Sequence, residues 1–139
     1  MSDTPDAVWV AYADGACRGN PGQSAIGAVI FDDAGREVHR ESRRVGPGTN
    51  NEAEYKAAIA ALEAALGLGA SRIELRMDSQ LVIRQLAGRY RVRNSRLIPL
   101  HGRLLDLRSR FQSVTFRNLP RESNRQADAL ANQALDRSS

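Results

Sequence analysis

The spacing of apolar residues changes near residue 49, and this change limits the possible folds more than any other feature of the chain. Before it, short apolar or alternating runs separated by turn residues predict three strands, over residues 8–14, 24–31 and 36–45. The glycine-rich stretch from Gly15 to Gly22 is expected to be a turn throughout. Because the connections are short, the strands are expected to form an antiparallel meander with the third strand at the edge.

After residue 49, segments of helical period alternate with segments of strand period. Strands are predicted over 72–77 and 114–119, and helices from the residues after Gly48 to Gly67 and over 79–87, 94–111 and 123–135. The alternation implies parallel pairing through right-handed crossovers. The predicted order is βββαβααβα, and the predicted fold class is α/β, a mixed five-stranded sheet with helices on both faces.

The length of 139 residues suits one domain, predicted over residues 7–137 after a flexible tail at 1–6. A single cysteine, Cys17, excludes an internal disulfide and a multi-cysteine zinc site. No apolar run approaches the roughly 18–20 residues of a membrane span, and the polar start lacks the features of a secretory signal. We therefore expect a cytoplasmic monomer with no membrane association and no obligate protein partner.

Basic residues are concentrated in one part of the chain. The net charge is +4, and the segment from Arg84 to Arg110 holds eight arginines and one acid, Asp106. Such a segment is typical of phosphate binding, and hence of a nucleic-acid partner, but it is equally compatible with a solvated helix face. Tyr90 lies inside this segment, between Arg89 and Arg91, where it either stacks on a sugar or base or fills the core.

Two carboxylates end predicted strands. Asp14 follows the first strand and Asp78 the fourth, so if these strands are parallel neighbours their ends lie about 5 Å apart. Two carboxylates at that distance need a cation to stay ionised, and oxygen ligands suit hard divalent metals. Each acid also has an ordinary explanation: Asp78 as a helix N-cap, Asp14 as part of a turn, Asp128 as a solvated helix residue.

The first long helix offers two further acids, Glu52 and Glu54. Helical periodicity does not choose between them, because one lies nearer the apolar stripe and the other on its flank, and both could serve the helix dipole. Other catalytic groups are weaker candidates. His39 and His101 share no metal spacing, Cys17 has no partner histidine, and the glycine pattern matches no nucleotide-binding loop, so no nucleotide cofactor is indicated.

Four stretches of the chain resemble the motifs of the type I ribonuclease H family, in order and on the expected elements: residues 14–22 (DGACRGNPG), 49–55 (TNNEAEY), 78–80 (DSQ) and 120–132 (PRESNRQADALAN). The resemblance implies the ribonuclease H-like fold. It also implies that the catalytic acids are Asp14, Glu54, Asp78 and Asp128, and so selects Glu54 over Glu52. These acids are expected to hold two Mg²⁺ or Mn²⁺ ions, with Asp14 touching both.

The function implied by this resemblance is a hydrolase, an endoribonuclease that cuts the RNA strand of RNA/DNA hybrids by a two-metal-ion mechanism. The expected products carry a 5′-phosphate and a 3′-hydroxyl. Family positions that contact the minor groove and RNA 2′-hydroxyls correspond here to Asn20, Asn50, Asn51 and Gln80. Thr49 corresponds to a residue that binds a phosphate of the DNA strand.

The chain departs from the family pattern in two places. Many members carry a long basic protrusion after the second helix, which this chain lacks, so Arg89, Arg91 and Arg93, with Tyr90 between them, are expected to supply nucleic-acid contacts. A loop histidine before the last helix is also absent; Arg121 replaces it electrostatically but does not accept a proton at neutral pH.

Three alternatives stay open at this point. Some compact members of the family also cut RNA duplexes, so double-stranded RNA stays open as a second substrate. A non-catalytic domain of the same fold that binds hybrids or double-stranded RNA would have no need for all four acids. A metal-dependent phosphatase or DNA nuclease would have no use for amide side chains that read 2′-hydroxyls.

Overall fold

A computed structural model describes residues 7–88 and 91–137. The strands are β1 (Trp9–Gly19), β2 (Gly22–Phe31), β3 (Glu37–Gly48), β4 (Arg72–Met77) and β5 (Ser113–Asn118). The helices are α1 (Asn50–Gly67), α2 (Gln80–Leu86), α3 (Leu97–Ser109) and α4 (Arg125–Asp136), with a 3₁₀ turn at Arg121–Ser123. The expected tail at 1–6, and Arg89 and Tyr90, lie outside the described residues.

The five strands form one mixed sheet in the order β3-β2-β1-β4-β5. The β1–β2 and β2–β3 pairs are antiparallel, whereas β1–β4 and β4–β5 are parallel. The predicted meander, the central position of the first strand and the edge position of the third are therefore confirmed. Because β1 pairs with strands of both directions, the antiparallel and parallel halves of the sheet meet there.

The first hairpin is longer than predicted. The stretch from Gly15 to Gly22 is not a turn throughout: β1 continues to Gly19 and pairs with β2 from Gly22, so only Asn20 and Pro21 lie between the strands. The prediction that the first strand ends at Asp14 was wrong, because pairing with β2 along the whole length outweighs the local turn preference of a glycine-rich segment.

Two helices begin later than predicted. The third predicted helix, expected from Asn94, begins at Leu97. The Asn94 Oδ1 accepts from the Arg96 N–H at 2.8 Å, which favours a turn just before the helix. The last helix, expected from Ser123, begins at Arg125 after the 3₁₀ turn.

The helices lie on both faces of the sheet. Along β2, Ile26, Ala28 and Ile30 join the core that includes α1, whereas Ala25 packs with Ala134 and Leu135 of α4. Side chains on a strand alternate between its two faces, so α1 and α4 cover opposite faces. In the part of the chain that the structure describes, no helix combines the length and apolar character needed to cross a bilayer.

Two glycines bring these helices unusually close to the sheet. A Cβ on Gly15 would overlap the backbone of Ala53 and lie 2.5 Å from the Glu54 nitrogen, and one on Gly27 would lie 2.7 Å from the Ala131 nitrogen. Gly27 pairs with Asp14 in the β1–β2 register. The main chains of α1 and α4 therefore contact the sheet directly beside Asp14, one on each face.

Side chains from the sheet hold the end of α4. The Arg44 guanidinium of β3 donates to the carbonyl oxygens of Ala134, Leu135 and Arg137 at 2.9, 3.1 and 2.7 Å. These carbonyls are left without helical partners at a C-terminus, and a cation there also opposes the helix dipole. The contacts fix the position of α4 on the sheet.

Candidate active site

The parallel register of β1 and β4 brings Asp14 and Asp78 together. The register runs from Trp9 opposite Ile73 to Tyr12 opposite Arg76, and each aspartate lies two residues further along its strand direction. Asp14 is buried at 5% exposure. The expected neighbourhood of these two carboxylates is confirmed, although β1 itself continues past Asp14.

Glu54 completes a group of three carboxylates. One carboxylate oxygen from each of Asp14, Glu54 and Asp78 lies within 4.8 Å of the others. Glu54 reaches this group from the second turn of α1. The main chain of α1 can approach β1 here because Gly15 has no side chain.

Glu52 is held away from this group by a capping box. Its Oε1 accepts from the Thr49 N–H at 3.0 Å, while the Thr49 Oγ1 accepts from the Glu52 N–H at 3.2 Å. This arrangement satisfies two N–H groups at the start of α1. The choice that periodicity left open is thus resolved: Glu52 caps the helix and Glu54 faces the other acids.

Asp128 contacts this group through Asp14. Its carboxyl group is within hydrogen-bonding reach of Asp14. Among the residues that the structure describes, Asp128 is not a member of the close group of three. Asp14 is therefore shared between Glu54 and Asp78 in one direction and Asp128 in another. The start of α4 is tied to the same strand, because the buried Asn124 donates through Nδ2 to the Ala13 carbonyl at 3.0 Å.

The electrostatics of the group favour a bound cation. Burial, followed by the negative charge of Asp78 and contacts with Asp128 and Glu54, raises the pKa of Asp14 to about 9. Burial and the charge of Asp78 also raise the pKa of Glu54, opposed by a hydrogen bond from Ser79. A divalent cation would relieve this repulsion, and clustered carboxylate oxygens are the donors that Mg²⁺ and Mn²⁺ prefer. The residues present fit such an ion.

The acids lie in an open cleft of about 450 Å³. The lining is mostly polar and comes from β1, the start of α1, the end of β4, the 3₁₀ turn and α4; it comprises Asp14, Gly15, Ala16, Cys17, Asn50, Glu54, Asp78, Arg121, Asp128 and Asn132. Among these lining residues, Arg121 carries the positive charge. A polar, acidic cleft that also contains one arginine suits a phosphate-containing ligand together with metal ions.

Comparison with known proteins decides the family. Residues 12–134 match the family model described as "Reverse transcriptase-like". The chain is 34% identical over 155 residues to "Ribonuclease H" of Methylococcus capsulatus, an alignment that covers 98% of this chain and 94% of that protein. The chain belongs to the type I ribonuclease H family.

Other relatives in the ribonuclease H family are more similar but longer. "Ribonuclease HI" of Halobacterium salinarum is 47% identical over 126 residues, covering 91% of this chain and 63% of that protein. The chain spans only 35% of the "Bifunctional protein Rv2228c" of Mycobacterium tuberculosis, to which it is 41% identical. Thus the chain corresponds to one portion of these relatives.

Solved ribonuclease H structures share the whole fold. The RNase H1 of Halobacterium salinarum superposes with a TM-score of 0.90 at 46% identity, covering 93% of this chain and 98% of that one. LC11-RNase H1, solved in complex with an RNA/DNA hybrid, superposes with a TM-score of 0.86 at 38% identity, covering 92% and 96%. These agreements confirm the ribonuclease H-like fold class.

Asp78 is not the N-cap of the helix that follows it. Ser79, not Asp78, is the N-cap of α2: its Oγ accepts from the Val82 N–H at 3.3 Å. The same hydroxyl hydrogen-bonds Glu54, so Ser79 supports both a helix and an acid of the ribonuclease H motifs. Asp78 is left to face the cleft.

The residues with expected nucleic-acid contacts divide into two sets. Around the cleft, Asn50 lines the wall and donates its N–H to the Asn20 Oδ1 at 3.1 Å, and Thr49 caps α1. The exposed Asn51 and Gln80 lie in the first turns of α1 and α2. Arg121 lines the cleft as well.

The second set lies apart from the cleft. Arg91 and Arg93 are exposed in the irregular segment between α2 and α3 and do not line it, so the structure does not bring these two arginines to the acids. Arg89 and Tyr90 fall outside the described residues.

Two cleft residues were missed from the sequence. Cys17 is a weak nucleophile candidate when residues 15–22 are taken as a turn, whereas the extended β1 places it on the strand of Asp14 and in the cleft. Asn132 lies four residues after Asp128, and the i to i+4 spacing on a helix was the available signal.

Proposed function

We propose that this domain is an endoribonuclease that hydrolyses the RNA strand of RNA/DNA hybrids. The observation that carries the proposal is the sharing of the buried Asp14 between Glu54 and Asp78 on one hand and Asp128 on the other, inside an open cleft. Membership of the ribonuclease H family and the likeness to LC11-RNase H1, a protein solved with such a hybrid, support the same substrate.

The four acids are proposed to hold two divalent ions, Mg²⁺ or Mn²⁺. Glu54 and Asp78 would share one ion with Asp14, and Asp128 would share the other. When bound, such ions lower the pKa of a water and stabilise the leaving 3′ oxygen. Products with a 5′-phosphate and a 3′-hydroxyl follow from that chemistry.

Amide side chains are proposed to identify the RNA strand. The amides of Asn20, Asn50, Asn51 and Gln80 offer both donors and acceptors, as binding of a 2′-hydroxyl requires. Thr49 is proposed to donate to a phosphate of the DNA strand. Arg121 is proposed to attract a phosphate of the RNA strand into the cleft; it acts as a fixed charge, since guanidinium keeps its proton at neutral pH.

Further properties are part of the same proposal. We propose that the domain acts as a cytoplasmic monomer with no obligate protein partner and no membrane association. Double-stranded RNA is proposed as a second, poorer substrate, because the chain lacks the long basic protrusion and Arg91 and Arg93 do not line the cleft.

A cleavage assay on one labelled 20-nucleotide RNA strand tests the function. The strand is paired with DNA, paired with RNA or left single, in Mg²⁺, in Mn²⁺ and in EDTA. We expect metal-dependent internal cutting of the hybrid, weaker cutting of the RNA duplex and no cutting in EDTA. Hybrid binding without cutting in either metal would refute the proposal and favour a non-catalytic domain.

Asp78→Asn provides the variant that ties cutting to the acids. It removes one ligand charge while keeping side-chain volume, so we expect folding and hybrid binding to persist and cleavage to be lost. The matched control is Asp33→Asn, an exposed aspartate in the turn between β2 and β3. Cutting by Asp78→Asn at the parental rate would contradict the assignment of the acids.

A further inference from the structure

Asn132 is a polar residue of the cleft to which the proposed chemistry gives no role. It is half-buried on α4, four residues after Asp128, and lines the cleft with Asp14 and Asp128. Its Nδ2 donates to the Asp128 carbonyl oxygen at 3.0 Å and to the Asp128 Oδ1 at 3.2 Å. Residues four apart share one helix face, so this amide restricts the rotation of the Asp128 side chain.

The restriction matters because Asp128 is the acid that reaches Asp14 from α4. It is half-buried, and it lies outside the close group formed by Asp14, Glu54 and Asp78 among the described residues. A free aspartate rotates among several rotamers, and only some of them direct an oxygen to Asp14. One hydrogen bond to Oδ1 removes part of this rotational freedom.

The chemical type of the partner is also informative. An arginine or lysine at position 132 would form an ion pair with Asp128 and cancel charge that a divalent cation needs. The neutral amide orients the carboxylate and leaves its negative charge in place. Hydrogen bonds of this kind, from a second layer of residues to metal-ligating carboxylates, typically change metal affinity about 10–100-fold.

We propose that Asn132 is a positioning residue that holds the Asp128 carboxylate beside Asp14 and so sets how tightly this half of the site binds a divalent cation, an assignment that rests on the proposed function. Asn132 itself needs no contact with the metal or the nucleic acid. Its effect passes through Asp128 alone, and this dependence separates a positioning role from a direct or a purely structural one.

The test is the metal dependence of thermal unfolding in Asn132→Ala, without nucleic acid. Alanine is the better helix former, so the metal-free Tm is expected to stay equal or rise. Titration with Mg²⁺ or Mn²⁺ raises Tm by binding to the folded state. We expect the half-saturating concentration to increase about 10-fold. Gln133→Ala, an exposed neighbour on the same helix, serves as the matched control and should leave the titration unchanged.

The Asp128→Asn background separates the possible roles of Asn132. Because the proposed effect passes through Asp128, Asn132→Ala should cause no further loss of metal affinity in that background. Three outcomes would each overturn the proposal. The first is a metal titration of Asn132→Ala that equals the parental one, and the second is an equal loss of metal affinity in both backgrounds. The third is a parental Tm that neither metal changes. Failure of the proposed function is separate, since it would appear as a parental protein that does not cut hybrids.

Discussion

The buried carboxyl group of Asp14 predicts that the metal-free protein loses stability as pH rises. Its surroundings raise the folded-state pKa from 3.8 to about 9. Between these values the folded state keeps a proton that the unfolded state has released, so the free energy of unfolding falls by about 1.4 kcal/mol per pH unit. The contribution of the Asp14 carboxyl group to stability is fully present below pH 3.8 and is lost as pH rises towards 9.

Asp14→Asn removes this titration, so the two proteins should diverge with pH. From pH 5 to pH 7 the parental protein should lose about 3 kcal/mol of unfolding free energy relative to the variant, at about 1.4 kcal/mol per unit. For a domain of this size that corresponds to a Tm gap that widens by roughly 10 °C. The variant should be the more stable protein at pH 7 and should not cleave hybrids.

Urea unfolding in EDTA at pH 5, 6 and 7 measures the gap directly. Asp33→Asn is the matched control, because Asp33 is an exposed aspartate that does not line the cleft. Mg²⁺ should restore part of the parental stability at pH 7 and have little effect on Asp14→Asn. If the difference between parental protein and Asp14→Asn stays constant from pH 5 to pH 7, the electrostatic reasoning is refuted.

Three further variants test the packing and the charge around the site. Gly15→Ala should lower stability by roughly 3 kcal/mol and reduce cleavage, because its Cβ overlaps the α1 backbone beside Glu54; urea unfolding and the hybrid assay check both, and a parental cleavage rate would contradict this. Arg44→Ala should lower the free energy of unfolding by about 1–2 kcal/mol, because it leaves three α4 carbonyls without this partner. Arg43→Ala, which removes an ion pair between a half-exposed guanidinium and Glu41, should lower it less. Arg121→Ala should weaken hybrid binding and reduce the slope of log affinity against log salt by about 1, and an unchanged slope would exclude a phosphate contact.

Much of the fold could be predicted because period and connection length report directly on it. Short turns between the first three strands were enough to predict the antiparallel meander, and alternation over residues 72–77 was enough to predict β4. The adjacency of Asp14 and Asp78 also followed from parallel pairing of the two strands, although β1 continues past Asp14. These features depend on local pattern and on general rules of chain connection.

Other features depend on contacts that local pattern does not encode. Helical periodicity did not choose between Glu52 and Glu54. The family resemblance selected Glu54, and the structure gives the physical reason: the Glu52 carboxylate turns back to Thr49 in a capping box. The extension of β1 to Gly19 depends on a partner strand, and a glycine-rich segment alone reads as a turn. The contact of Asn132 with Asp128 required the side-chain positions on α4, although its spacing was visible.

The close approach at Gly15 and Gly27 has a consequence for how the site tolerates change. Beside Asp14, a single layer of sheet separates α1 from α4, and neither glycine has a side chain between the sheet and its helix. The distance between the two helices is therefore set by main-chain atoms alone. We expect substitutions among the larger core residues to change packing elsewhere and to leave this spacing unchanged. The separation of Glu54 and Asp128 therefore does not depend on the packing of the rest of the core. It depends on two glycines, whose Cα atoms carry a hydrogen where other residues carry a Cβ.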